Sequence, residues 1–146
     1  MNPAKPTIAR GLLPELIGYR LRRAQVRVFN DFLASLAPFE LTPGLFGVLV
    51  LIDSNPGLNQ SRLGNAMGVD RSTVVAVIDR LQARGLVARK PSTSDRRAHR
   101  LTLTPKGKSA LEAAVPEVRA HEARIAEALT TEERAALLQL LEKLAP

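Results

Sequence analysis

The sequence predicts a mainly α-helical fold with one small β-hairpin. Apolar residues recur at spacings of three and four along most of the chain, which is the period of an amphipathic helix. Two short runs, LVARK at 86–90 and RLTLT at 100–104, are typical of strands, and a polar turn separates them. With 146 residues, 45% of them apolar, the chain is long enough for about one domain with a buried core.

The first predicted helix spans about Leu12 to Leu36 and has two apolar faces. One set at helical spacing is Leu13, Ile17, Leu21, Ala24, Val28 and Phe32, and the other is Leu12, Leu16, Tyr19, Val26, Phe29, Leu33 and Leu36. Because an apolar stripe is normally buried against a neighbouring element, a helix with two such faces needs two partners.

A second helix is predicted over residues 43–53. Thr42 is a favourable N-cap, and Pro43 is well placed at the first helical position, where the missing N–H has no partner to lose. The run NPG at 55–57 is a typical helix-ending turn.

Two short helices joined by a tight corner follow, at about 60–67 and 70–85. Gly68 suits the left-handed residue that ends the first of them, and Gly64 lets the two helices approach closely. Asp70 is a favourable N-cap for the second. The core-facing stripe of that second helix is Val74, Val77, Ile78 and Leu81. Together the two form a candidate helix-turn-helix.

Two further helices follow the hairpin. The Thr-Pro pair at 104–105 predicts the start of a long helix that reaches about Leu129, with a kink or bend at Pro116. Thr130, with Glu133 three residues later, is a capping box that begins the last helix. That helix has more leucines than one short helix can bury alone, namely Leu137, Leu138, Leu140, Leu141 and Leu144.

The positive charge of the chain is confined to one segment. Residues 62–106 contain ten Lys or Arg and three acids, whereas the rest contains eleven of each kind. The whole net charge of +7 therefore lies in the segment with the helix-turn-helix and the hairpin. Clustered cations favour a polyanion such as nucleic acid, because binding releases counterions from its backbone. A solvated basic face is the alternative interpretation.

A helix-turn-helix followed by a hairpin is the winged form of this DNA-binding motif, in which the second helix enters the major groove. When the apolar stripe of that helix is buried, six of its residues point outward, namely Arg71, Ser72, Thr73, Val75, Ala76 and Arg80. The two arginines could bind guanine or phosphate, and the two hydroxyl residues could bind phosphate oxygens or bases. The valine and the alanine could at most contact thymine methyl groups.

The turn of the hairpin, STSDRRAHR at 92–100, places arginines at its tip. An arginine on a narrow turn can enter the minor groove, where negative potential is concentrated. We expect Arg97 in that role, Asp95 to hold the turn in shape by pairing with an arginine, and Arg96 to bind phosphate or the loop. The alternative is a solvent-exposed turn in which Asp95 merely bridges a neighbouring arginine.

Residues 68–107, GVDRSTVVAVIDRLQARGLVARKPSTSDRRAHRLTLTPKG, resemble the MarR family of bacterial winged helix-turn-helix regulators. The resemblance lies in the recognition helix that leads to GLV at 85–87, in DRR at 95–97 and in LTLTPKG at 101–107. One departure is the Val-Ala pair at 75–76, where family members often carry polar or basic residues. This departure gives more weight to readout of DNA shape.

The resemblance implies one domain over residues 1–146, with a DNA-binding lobe at 41–104 and a helical dimerisation region at 10–40 and 105–146. It also implies a homodimer that represses genes by binding a pseudo-palindromic DNA operator and is released by a small ligand. In such proteins the first, fifth and sixth helices interlock. This assigns dimer contacts to Leu12, Leu16, Leu137, Leu138, Leu141 and Leu144.

Ligand pockets of the family lie between the dimer helices and the DNA-binding lobe, and commonly accept aromatic carboxylates, related phenolic compounds or thioesters. The candidate ligand-binding residues in the first two helices are Tyr19, Arg20, Arg23, Arg27, Asn30 and Phe46. An arginine beside an aromatic ring could fix a carboxylate or phosphate. The alternatives are arginines that are solvated or bridge the dimer, and a phenylalanine that belongs to the core.

Other functions are disfavoured by the composition. Without cysteine the chain cannot sense oxidants through thiols. A metal site is poorly supported, because His99 lies in the hairpin and His121 has only Glu117, Glu122 and Asp31 as possible company. We expect no cofactor, and we expect no enzyme, because no catalytic or phosphate-binding motif occurs. The alternative function is a winged module that binds RNA or protein without ligand control.

The sequence also predicts a cytoplasmic protein. No run approaches the roughly 18 to 20 apolar residues that a membrane helix needs, and the N-terminus lacks the apolar core of a signal peptide.

Overall fold

The computed structural model describes residues 8–92 and 99–145. Within them it contains six α-helices and one antiparallel hairpin, as predicted. The elements are α1 (Ile17–Ser35), α2 (Pro43–Ser54), α3 (Gln60–Met67), α4 (Arg71–Ala83), β1 (Val87–Pro91), β2 (His99–Leu103), α5 (Pro105–Ile125) and α6 (Thr131–Leu144).

The first helix begins five residues later than predicted. Leu13–Glu15 forms a separate 3₁₀ turn that includes Pro14, and Leu16 is extended (φ −86°, ψ 125°), so α1 begins only at Ile17. The guanidinium of Arg20 donates a hydrogen bond of 2.8 Å to the Pro14 carbonyl and ties the turn to the helix. A local proline and one extended residue therefore divide an apolar pattern that is continuous in sequence.

The predicted N-caps are present. Thr42 accepts from the backbone of α2, Asp70 from that of α4 and Thr104 from that of α5. Thr130 and Glu133 form both bonds of a capping box, at 3.2 and 2.8 Å. Each cap stabilises its helix by about 1 kcal/mol. Because a cap depends only on residues close in sequence, these helix starts are determined locally.

The corner between α3 and α4 has the predicted geometry. Gly68 ends α3 in the left-handed conformation (φ 65°). A Cβ at Gly64 would lie 3.0 Å from Val74 Cγ2, so the absence of a side chain lets α3 approach α4. The two helices are therefore held in a fixed relation by close packing.

The core lies between the end of α1, α2, α3, α4, the hairpin and the start of α5. Its fully buried members include Leu36, Val48, Leu49, Leu63, Val74, Ile78, Leu81, Val87 and Leu101. The hairpin pairs Val87 with Leu103 and Arg89 with Leu101. Leu101 also donates its N–H to the Leu58 carbonyl at 2.7 Å, which attaches β2 to the loop after α2.

The C-terminal helices project from this core. α5 continues through Pro116 and ends at Ile125, four residues before the predicted end at Leu129. In the single chain, α6 has no buried residue, and Leu138 and Leu144 are 55% and 57% exposed. Leu12 and Leu16 are exposed as well. Among the described helices, none combines the length and apolar composition needed to cross a membrane.

Candidate nucleic-acid interface and effector region

The recognition helix α4 has one buried and one exposed side. Val74, Ile78 and Leu81 are buried, while Val77 is half-buried. All six residues predicted to point outward are exposed: Arg71, Ser72, Thr73, Val75, Ala76 and Arg80. Their contact with DNA stays a prediction, but the structure places each of them where contact is possible.

Asp70 organises the start of α4. Its carboxylate accepts hydrogen bonds from Ser72 Oγ at 2.5 Å, from Thr73 Oγ1 at 2.9 Å and from the backbone N–H of Thr73 at 2.9 Å. These bonds, that of Ser72 foremost, lower the pKa of Asp70 from 3.8 to about 2. Because the ionised acid can only accept, both hydroxyl protons point to Asp70 in the free chain. Binding of phosphate oxygens or bases by Ser72 and Thr73 stays a prediction.

The guanidinium N–H donors of the two arginines of α4 are not used by other described residues. Within residues 8–92 and 99–145, the guanidinium groups of Arg71 and Arg80 form no ion pair or hydrogen bond. They lie on either flank of the exposed side, so their charges are available to the phosphates that border a groove.

Arg89 clamps the hairpin to α4, a contact that the sequence did not predict. Its guanidinium on β1 donates to Asp79 Oδ1 and to Gln82 Oε1, each at 2.6 Å. Thr104 Oγ1 adds a bond of 2.6 Å to the Gly85 carbonyl at the other side of the hairpin base. The Arg89 bonds thereby connect the hairpin to α4, and the Thr104 bond closes the base of the hairpin.

Arg84 connects the end of α4 to the loop between α1 and α2. Its guanidinium donates to the carbonyls of Phe39 and Glu40, at 2.8 and 2.9 Å. Lys106 in turn donates to the Arg84 carbonyl at 2.9 Å. No sequence pattern indicated these bonds, because Arg84 and its acceptors are more than 40 residues apart.

The predicted hairpin tip lies outside the described residues. Asp95, Arg96 and Arg97 all fall within 93–98, so their roles remain predictions from the sequence. His99 is the first residue of β2 and is exposed.

Within residues 8–92 and 99–145, the six predicted ligand residues are not brought together around one of the main cavities. Arg23 lies over the Tyr19 ring at 5.9 Å, Asn30 is exposed, and Phe46 packs edge-on against Phe32 at 5.9 Å. Phe46 is therefore part of the core margin, in agreement with the alternative interpretation of that residue. The two remaining candidates, Arg20 and Arg27, each border a cavity.

The larger cavity lies between α1, α5 and α6 and has a volume of about 480 Å³. Its apolar lining comes from all three helices and the turn between the last two, and includes Leu21, Val28, Ile125, Leu129, Leu137 and Leu141. Arg27, Glu122 and Arg134 border it, and the latter two form an ion pair of 3.5 Å. A neighbouring cavity of about 380 Å³ is bordered by Arg20. Apolar walls with a few charged groups suit an aromatic anion.

A polar cluster joins α1 to α5 beside this region. His121 is 1% exposed and its Nδ1 lies 2.7 Å from Asp31 Oδ1. Arg124 donates to the same oxygen at 3.0 Å and to Ser35 Oγ at 2.6 Å. These partners, with His121 first, lower the pKa of Asp31 to about 2.

The contacts of His121 are with Asp31 and Phe32. In the part of the chain that the structure describes, no three His, Cys, Asp or Glu side chains are grouped to hold an ion. The histidine ring instead fills the core against the edge of Phe32, at a ring distance of 5.3 Å.

The chain is similar to known transcriptional regulators. The model of the MarR family matches residues 41–99. A putative transcriptional regulatory protein for the hcr operon of Thauera aromatica is 38% identical, with 98% of this chain and 89% of the relative aligned.

Solved structures match along nearly the whole chain. The transcriptional repressor CouR bound to a 23-mer DNA duplex is 46% identical with a TM-score of 0.92, covering 97% of this chain and 100% of that one. CouR bound to p-coumaroyl-CoA is 45% identical, with a TM-score of 0.88 and coverages of 95% and 98%. BpsR of Bordetella bronchiseptica, whose DNA binding is regulated by 6-hydroxynicotinic acid, is 31% identical, with a TM-score of 0.85 and coverages of 95% and 98%.

Proposed function

Because the chain belongs to the MarR family, we propose that it is a homodimeric transcriptional repressor that leaves its DNA operator when a small aromatic carboxylate or a related thioester binds. The observation that carries this proposal is the exposed side of α4, which is fixed to the hairpin by Arg89. The fold that presents it matches a DNA-bound repressor with a TM-score of 0.92. The proposed activity is binding, without a catalytic step, and it takes place in the cytoplasm.

The DNA contacts are proposed from exposure and charge. α4 enters the major groove, with Arg71 and Arg80 at its flanks, while Arg97 at the hairpin tip reaches the minor groove. The excess of cations between residues 62 and 106 supports contact with phosphates, and it predicts an affinity that falls steeply with salt.

The dimer is proposed from the apolar surface that the single chain leaves exposed. Leu137, Leu138, Leu141 and Leu144 on α6, with Leu12 and Leu16 near α1, are all at least 37% exposed. Burial of these side chains against a second copy would remove them from water and fix two copies of α4 at the spacing of two half-sites.

The effector class is proposed from the relatives and from the cavity. CouR binds p-coumaroyl-CoA, and BpsR responds to 6-hydroxynicotinic acid. In this chain, the apolar cavity between α1, α5 and α6 lies within the proposed dimerisation region, not between that region and the DNA-binding lobe as the sequence suggested. It would accept an aromatic ring in the part that a second copy packed on Leu137, Leu138 and Leu141 leaves open. Arg20 and Arg27 on α1 are then the candidates to meet the anionic group.

The test is fluorescence anisotropy of the full chain with the labelled DNA duplex upstream of its own gene. We expect tight, salt-dependent binding, and release by p-coumaroyl-CoA, p-coumarate or 6-hydroxynicotinate. Acetyl-CoA, a thioester without the ring, is the matched control and should release nothing. A preference for RNA of the same sequence over the DNA would contradict the repressor, and DNA binding that no aromatic acid or thioester alters would contradict the ligand control.

A further inference from the structure

The outer row of α4 has a defined hydrogen-bonding character. Ser72, Ala76 and Asp79, at positions i, i+4 and i+7, lie opposite the buried stripe, and all three are exposed. Val75 lies beside them and is 36% exposed. When a recognition helix lies in the major groove, the row opposite its buried side points toward the base edges.

Ser72 can offer only an acceptor to this groove. A serine hydroxyl has one proton and two lone pairs, and the proton of Ser72 is donated to Asp70 Oδ1. The same oxygen accepts the backbone N–H of Thr73 and so caps α4. Turning the hydroxyl outward as a donor would therefore break a bond to an ionised carboxylate.

The rest of the row supplies no free donor either. Val75 and Ala76 end in methyl groups. Asp79 is an acceptor, and one of its oxygens is held by Arg89 at 2.6 Å. The Arg89 guanidinium is directed along α4, because it also bonds Gln82. The row thus combines two acceptors, the Ser72 hydroxyl and the Asp79 carboxylate that Arg89 partly occupies, with methyl groups and no free donor.

On the premise of the DNA binding proposed above, we propose that Ser72 determines specificity by accepting a hydrogen bond from an exocyclic amino group in the major groove. Only adenine, through N6, and cytosine, through N4, present such a group there. Guanine and thymine present oxygen or nitrogen acceptors, which would face the Ser72 oxygen without a proton between them. Val75 and Ala76 then favour a thymine methyl nearby, and Arg71 and Arg80 are left for phosphates.

Selection from random DNA tests this inference without prior choice of an operator sequence. The full chain, Ser72→Ala and Ser109→Ala each select duplexes from a random DNA library. Ser109→Ala is the matched control, because it makes the same change at an exposed position on α5, outside α4 and the hairpin. We expect one base pair per half-site at which the unaltered chain and Ser109→Ala prefer adenine or cytosine about tenfold, whereas Ser72→Ala shows no preference.

A base analogue tests the same bond in the unaltered protein. The selected adenine is replaced by purine, or the selected cytosine by 2-pyrimidinone, each of which lacks the amino group. We expect the affinity of the unaltered chain to fall about tenfold and that of Ser72→Ala to stay the same. Unchanged binding of the unaltered chain to the analogue would overturn the inference, as would loss of a guanine or thymine preference in Ser72→Ala. Failure of the unaltered chain to select any sequence would instead overturn the proposed function.

Discussion

Asp31 shows how one residue connects two distant parts of the chain. Its side chain on α1 accepts from Arg124 and contacts His121, both on α5 and about 90 residues away. From the sequence, Asp31 was one of three acids that could contact His121, and nothing favoured it over Glu117 and Glu122. Helical periodicity indicates which face a residue occupies, whereas the partner across a helix pair depends on how far each helix is rotated and shifted.

Replacement of His121 tests the cluster. His121→Leu keeps most of the buried volume but removes the ring nitrogen that contacts Asp31, and we expect a loss of about 1–3 kcal/mol in the free energy of unfolding. Urea unfolding at one fixed protein concentration measures it. His99→Leu, at an exposed position in β2, is the matched control and should change stability little. Equal stability of the two variants would show that the His121 contact contributes nothing.

The pKa of Asp31 gives a pH dependence with a defined sign. The pKa falls from 3.8 to about 2 on folding, so folding favours the ionised form. The stabilisation is fully present above pH 3.8 and is lost as the pH falls through about 2. Over the range in which Asp31 itself titrates, we therefore expect the stability difference between the unaltered chain and Asp31→Asn to shrink as the pH falls from about 4 toward about 2. A difference that grew toward low pH would contradict the assignment.

The elements divide into those that the sequence determines locally and those that depend on long-range contacts. The caps at Thr42, Asp70, Thr104 and Thr130 could be predicted, because each involves residues three positions apart. The clamp formed by Arg89 could not, because it depends on how the hairpin folds back along α4. The ligand candidates on α1 were chosen by residue type. Their spacing places them on one face of the helix, but they are distributed along its length, and Arg20 and Arg27 border different cavities.

The Arg89 clamp is expected to position the hairpin more than to stabilise the fold. Its ion pair with Asp79 is partly exposed, so Arg89→Ala should change the free energy of unfolding by no more than about 1 kcal/mol. DNA affinity should nevertheless fall about tenfold, because the hairpin is no longer held at a fixed angle to α4 and must be ordered on binding. Anisotropy with operator DNA and amide exchange of β1 measure the two effects.

Arg119→Ala is the matched control for the clamp. It removes the same charge from an exposed position on α5, away from α4 and the hairpin. If both variants lose the same affinity and β1 exchanges no faster in Arg89→Ala, the clamp acts through net charge alone and the positioning role is wrong.

The chain combines a well-packed lobe with an apolar surface on α6 that is exposed in the single chain. Core residues from α2, α3, α4 and the hairpin are fully buried in one chain, whereas α6 has no buried residue. The sequence allowed this separation to be predicted, because its surplus leucines could not be buried by one short helix. The geometry of the partner could not be predicted, since an apolar stripe specifies burial but not the angle at which a second copy packs.

This separation predicts that the dimer can be disrupted without unfolding the lobe. The double variant Leu138→Glu, Leu141→Glu places two carboxylates on the apolar face of α6. The free-energy cost of removing these charges from water at an interface exceeds the free energy that packing there contributes. We expect monomers in sedimentation velocity, unchanged helix content by circular dichroism, and operator affinity reduced about 100-fold or more, because the two half-sites are no longer bound by linked copies. Gln139→Glu adds charge on the same helix outside the stripe and should stay dimeric. A double variant that remains dimeric and binds the operator normally would place the interface elsewhere.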